Sequence, residues 1–313
     1  MAILLKCSPF YKTKEKKRFV CVGNSGESYY SDDGETWIRM TGLNEKVNYY
    51  AVFYFCGKFI CGGLTGRYSY SYYDEDNWHI DGNSGLGGSY LDYARGKNHL
   101  LAITSGSGNV GVSKNNGSTW ESDRTSNQYG DRIIYISASA IVYAKNRFVM
   151  IGDKSECYYT LEKDYPKWSK GSGLDISLYY YDITYGNGKF VCVGSKGSSY
   201  YSIYGITWVK MSGLDTTVTF SVITYGNGKF VTIGNGMVYH STDGENWTKV
   251  ADLADTTYIN SLTYGNGKFV CVGYSGTSYS SIDGINWTRM TGLNNKINYN
   301  SVCYSIDGGY DNT

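Results

Sequence analysis

Apolar residues fall in short runs separated by Gly, Asn and Ser turns, and no segment shows the three-to-four-residue recurrence of an amphipathic helix. Residues 179–210 display the unit most clearly. Tyr181-Asp182-Ile183-Thr184-Tyr185 predicts a first strand. Gly186-Asn187-Gly188-Lys189 supplies the positive-φ residues of a tight hairpin. Phe190-Val191-Cys192-Val193-Gly194 is apolar on both faces, as expected of a sheet sandwiched between two others. Ser199-Tyr200-Tyr201-Ser202 and Thr207-Trp208-Val209-Lys210 predict a third and a fourth strand.

The unit repeats. Thr-Tyr-Gly-Asn-Gly-Lys-Phe-Val occurs at 184–191, 224–231 and 263–270. All seven Trp take one place in the unit: Trp37, Trp78, Trp120, Trp168, Trp208, Trp247 and Trp287. Their spacing of 39 to 48 residues is the period of a four-stranded propeller blade. The expected fold is all-β: a single domain over residues 1–313, a seven-bladed β-propeller of four-stranded antiparallel blades. Tyr299-Asn300-Ser301-Val302-Cys303-Tyr304 matches a first strand with no blade after it, so it is expected to complete the first blade and remove the open edge. Ile3 to Cys7 is the competing candidate for that place.

Composition narrows function without naming it. The 313 residues include 40 Gly and 34 Tyr, and the net charge is +1. That charge argues against nucleic acid, whose phosphates need a basic face. No apolar stretch is long enough for a membrane helix. The three-residue apolar run near the N-terminus is too short for a signal-peptide core, so synthesis in a cytosol is expected. Cys21, Cys61, Cys192 and Cys271 occupy equivalent strand positions, one repeat apart and too distant to bridge, and are expected to be buried free thiols. His79, His99 and His240 are scattered, so no metal site and no cofactor are expected.

The turn before the Trp reads Ser31-Asp32-Asp33-Gly34-Glu35-Thr36-Trp37, Ser241-Thr242-Asp243-Gly244-Glu245-Asn246-Trp247 and Ser281-Ile282-Asp283-Gly284-Ile285-Asn286-Trp287. This resembles the Asp box of sialidase-type (BNR-like) propellers. Ser113 to Trp120 has the full spacing, with Asn115 in place of Asp. The other three are one residue shorter; the fifth copy has Tyr204, and the second and fourth are degenerate. In this reading Asp33, Asn115, Asp243 and Asp283 staple their own turns, and the Trp wedges between blades. The Tyr/Gly-rich repeats with free thiols are also similar to propeller domains of bacteriophage tail, fibre or receptor-binding proteins.

The sialidase resemblance implies an arginine cluster, a Tyr–Glu pair and an Arg-Ile-Pro signature, none of which can be placed here. The carboxylates expected on inner strands are Asp92 and Asp182, few for a glycosidase. No catalytic residue is therefore assigned. The expected role is a non-catalytic binding or structural module, a virion component recognising a cell-surface glycan or a partner protein. An intracellular interaction scaffold and a sialidase-like hydrolase are the alternatives. Tyr49, Tyr50, Tyr179, Tyr180, Tyr181, Tyr258 and Tyr299 enter the inner strands on the face opposite the Asp-box turns. They form a candidate recognition surface, large and rigid at low entropic cost. Packing across blades is the competing explanation. Glu121 to Arg132, in the longest interval, is expected to protrude on that face.

Overall fold

The computed structural model describes residues 17–84, 86–105, 110–123, 126–127, 137–154, 156–254 and 258–305. They form seven sheets, each with four antiparallel strands running outward from an inner strand to a short outer one, so the fold is a seven-bladed β-propeller. Blade 5 runs Tyr180–Gly186, Lys189–Gly194, Ser199–Ser202, Val209–Lys210 from inside to outside. The Tyr299–Tyr304 strand is innermost in blade 1 and pairs antiparallel with Phe19–Gly23, Tyr304 opposite Phe19. The two ends of the ring therefore share a blade, as the repeat register predicts. Residues 3–7 lie outside the described residues.

The core is a set of slabs between blades. Each groups the second strand of one blade with the inner strand and Trp of the next: Val149, Ile151 and Cys157 of blade 4 meet Tyr180, Ile183 and Trp208 of blade 5. Trp208 Nε1 donates to Cys157 Sγ at 3.1 Å, and Trp78 Nε1 donates to Ser28 Oγ of blade 1 at 3.0 Å. The Trp is the wedge expected from the sequence, burying on the order of 200 Å2.

The Ser–Asp turns staple themselves. Asp283 Oδ1 accepts from Ile285 N and Asn286 N at 2.8 Å each and from Ser281 Oγ at 3.0 Å, while Gly284 takes φ +73°. Asp33 and Asp243 repeat the pattern, and Asn115 accepts from Thr119 N. A further element escaped the sequence reading. The residue before the apolar start of each second strand is basic in all seven blades: Arg18, Lys58, His99, Arg147, Lys189, Lys229 and Lys268. Each reaches the outer turn of the next blade. Lys229 Nζ donates to Asp283 O at 2.9 Å, Lys268 Nζ to Asp33 O at 2.9 Å, Lys189 Nζ to Asp243 O at 2.7 Å and Arg18 Nη1 to Glu75 O at 3.2 Å. His99 stands 3.7 Å from Glu162 in the same role. On this face, then, the turns are committed to holding blades together.

One expectation needs correction, and one is met with an addition. The described part of the 121–132 insertion is strand: Glu121–Asp123 is the outer strand of blade 3, and Ser126–Asn127 adds a fifth, parallel strand to blade 4 beside Lys167 and Trp168. The open edge of blade 4 is what recruits it, since an unpaired edge offers free N–H and C=O groups. Residues 124–125 and 128–132 lie outside the described residues. Second, Cys21, Cys61, Cys192 and Cys271 are buried free thiols as expected, but Cys56 is disulfide-bonded. Cys56 sits in the hairpin turn of blade 2 at φ +48°, off the strand position on which the thiol argument rests.

Candidate functional site: the mouth of the central channel

The seven inner strands surround a channel cavity of about 340 Å3. Its mouth lies on the face opposite the Ser–Asp turns, where the chain enters each inner strand. The entry is irregular in a repeated way. Tyr180 pairs with Gly194 and Asp182 with Val193, so Tyr181 is the extra residue of a β-bulge. Tyr50, Leu91, Ser139, Asn260 and Asn300 occupy the same extra position in blades 2, 3, 4, 7 and 1. A bulge re-aims a side chain, and all of these, with Ser221 of blade 6, line the channel.

The bulge sorts the candidate tyrosines. Tyr49, Tyr180 and Tyr299 precede it and are 1, 0 and 0% exposed, packed between blades. They are core residues, not a recognition surface, which corrects the expectation for these three. The Tyr180 hydroxyl donates to Asp175 O at 3.4 Å, and the Tyr299 hydroxyl accepts from Asn294 N at 3.1 Å. Tyr50 and Tyr181 line the channel, Tyr181 being 37% exposed. Tyr179 and Tyr258 stand outside it on the same face at 40 and 65% exposure, and Tyr258 meets Tyr274 edge-on at 5.8 Å. Leu64, Leu91 and Tyr274 are exposed there too.

The residue after the bulge ties blades together. Asp182 Oδ1 accepts from Ile183 N at 2.8 Å and Oδ2 from Ile223 N of blade 6 at 2.7 Å. Asp92 accepts from Tyr93 N at 2.8 Å and from Ile141 N of blade 4 at 2.9 Å. Ser261 and Ser301 accept one such N–H, from Val302 at 3.0 Å and Val52 at 3.1 Å. The matching positions in blades 2, 4 and 6 are Ala51, Ala140 and Val222. One aspartate thus serves two N–H groups, its own neighbour's and the next blade's. Both residues line the channel. Burial outweighs their N–H donors and pushes Asp92 up to about 7 and Asp182 up to about 8, the charge of Asp92 adding to the second.

The sequence names Asp92 and Asp182 as inner-strand carboxylates but does not reveal the bulge or the clasp. The signal was present: Tyr-Tyr-Asp at 180–182 and Tyr-Leu-Asp at 90–92 break strict two-residue alternation at one repeat position. Among the described residues no group of three or more His, Cys, Asp or Glu is placed to hold a metal ion, and no helix is long and apolar enough to cross a membrane.

Comparison with known proteins places the fold. No protein-family model matches the chain, and no curated protein matches it in sequence. Solved structures do. YCF48 from Cyanidioschyzon merolae superposes with a TM-score of 0.62 at 15% identity, covering 85% of this chain and 95% of that one. A structure of YCF48 bound to D1 peptide gives 0.55 at 15% identity, covering 74% of this chain and 78% of that one. Virginiamycin B lyase from Staphylococcus aureus gives 0.67 at 9% identity, covering 79 and 85%. At these identities the likeness is one of fold.

Proposed function

We propose that this propeller is a non-catalytic binding module that holds an extended segment of a partner protein across the channel mouth. The observation carrying the reading is the repeated bulge, which turns Tyr50, Leu91, Ser139 and Tyr181 into a shared opening while the opposite face is spent on inter-blade bonds. A propeller neighbour carrying a bound peptide supports the same kind of partner. The absence of catalysis in this reading rests on Asp92 and Asp182, each bonded to two backbone N–H groups, an arrangement suited to joining strands.

A cell-surface glycan is the second reading, carried by the exposed faces of Tyr258 and Tyr274, on which a sugar ring can stack. The virion role rests on composition alone. An array of 15-residue peptides and glycans separates the two ligand classes. Saturable peptide binding lost in Tyr50→Ala and Tyr181→Ala, and kept in Tyr204→Ala on the opposite face, is expected. Glycan binding without peptide binding would replace the first reading with the second. Turnover of a glycoside panel would sink the non-catalytic assignment.

A further inference from the structure

The geometry points to a charge-specific step at this surface: the partner segment inserts a lysine or arginine side chain through the mouth, into the arc of the channel bearing Asp92 and Asp182. The inference rests on the peptide-binding reading and names what the peptide carries.

The only charge the cavity lining can take is negative. Among its described lining residues Asp92 and Asp182 carry the only carboxyls, and no Lys, Arg or His lines it. Low-dielectric walls focus such a field and favour a cation over an anion.

Hydrogen-bonding capacity is uneven around the ring. In blades 6, 7 and 1 the mouth residues donate to the first carbonyl of the next blade: Ser221 Oγ to Ile259 O at 3.0 Å, Asn260 Nδ2 to Tyr299 O at 2.9 Å and Asn300 Nδ2 to Tyr49 O at 2.9 Å. Blades 2 to 5 carry Tyr50, Leu91, Ser139 and Tyr181 instead, and none of these makes the equivalent bond to the carbonyls of Tyr90, Ala138, Tyr180 and Phe220. In this arc four backbone carbonyls therefore lack that side-chain donor. Ammonium and guanidinium groups are donors only, with three and five N–H bonds respectively.

Tyr50 and Tyr181 stand in blades 2 and 5, at the two ends of the arc. Their rings can cover the aliphatic stem of such a side chain and attract its charge.

The carboxyls are poised so that the cation must pull them into their charged form. Besides each other, Asp92 and Asp182 interact electrostatically with Tyr93 and Cys192, and share the cavity with Tyr50, Tyr181 and Cys303; burial pushes Tyr93, Cys192, Tyr181 and Cys303 up, so none of those four is charged near neutrality. Affinity should therefore rise with pH, by about tenfold between pH 6 and pH 9 for a carboxyl near 7.

The test takes the array peptides whose binding depends on Tyr181. Each is resynthesised with Lys replaced by norleucine and Arg by citrulline, which keep shape and remove charge, and the Kd is measured at pH 6 and pH 9. A loss of tenfold or more on neutralising one basic residue, with weaker binding at pH 6, is expected. Asp182→Asn should shrink the difference between charged and neutral peptides, and Asp92→Asn with Asp182→Asn should abolish it; the peptide-side changes leave the protein intact should these variants fail to fold. Tyr181-dependent binding that is indifferent to norleucine, citrulline and pH would overturn the inference and leave the peptide reading standing. No Tyr181-dependent peptide binding at all would overturn both.

Discussion

Gly194→Ala tests the architecture of the mouth. Gly194 closes the second strand of blade 5 with φ −167°, an extended conformation open to any residue. Backbone strain is thus no reason for glycine here. Close approach is: a Cβ at this position would lie 2.0 Å from Tyr179 O and 2.8 Å from Ser198 Oγ. The same oxygen accepts Ser195 N at 2.9 Å, which pins the strand entry and fixes where Tyr179 to Tyr181 stand. The methyl group must displace backbone. Overpacking of this kind costs about 1–3 kcal/mol. Reduced freedom of the unfolded chain returns only about 0.4–1 kcal/mol. A net loss of about 1–2 kcal/mol lowers Tm by roughly 1.5–3 °C in a chain of this size. Thermal and urea unfolding followed by Trp fluorescence measure it. Gly188→Asn is the control, since Gly188 has φ +76° and nothing within 4 Å of a Cβ, and Asn tolerates that conformation. A Gly194→Ala protein as stable as the parent would refute the close-approach argument.

Five further outcomes are expected. Trp208→Ala, which empties the slab between blades 4 and 5, should cost about 3–5 kcal/mol in urea unfolding. Asp283→Ala leaves two turn N–H groups and one hydroxyl without their acceptor and should cost about 1–2 kcal/mol at pH 7. Asp33 is opposed by burial but held down to about 2 by N–H groups of Thr36 and Glu35, so its contribution should be complete above pH 4 and vanish as pH falls toward 2; Asp33→Asn should flatten that limb of an acid titration. Asp182 works in the opposite sense: its folded value lies above the unfolded one, so its contribution is fully present below about pH 4 and is lost as pH rises toward 8. Asp182→Asn should flatten that alkaline decline. The thiols of Cys21, Cys192 and Cys271 are buried, that of Cys271 pushed up to about 12, so a thiol reagent should label them only on unfolding.

The ring was legible because its parts repeat: each Trp, each Asn-Gly or Cys-Gly hairpin and each apolar second strand recurs at blade spacing, and only a closed sheet buries all of them. Closure by Tyr299–Tyr304 was legible for the same reason. The mouth was less so. Adjacent tyrosines such as Tyr49 and Tyr50 look alike in sequence, yet one is core and the other lines the channel, because a bulge falls between them. A bulge is a property of pairing register, which a single strand does not display. The basic latch before each second strand was visible as Lys-Phe or Arg-Phe in six blades. Its meaning depended on a turn about 55 residues later, brought near only by the ring; Lys189 and Asp243 are 54 apart. The 126–127 strand was hidden because a polar surface sequence carries no strand signal of its own.

Hydrogen–deuterium exchange of the protein with a bound array peptide tests the central claim most directly. Protection confined to segments 49–52, 90–92, 139–141 and 179–184 is the predicted result. Protection at the turns 31–37, 241–247 and 281–287, with the mouth unchanged, would contradict it.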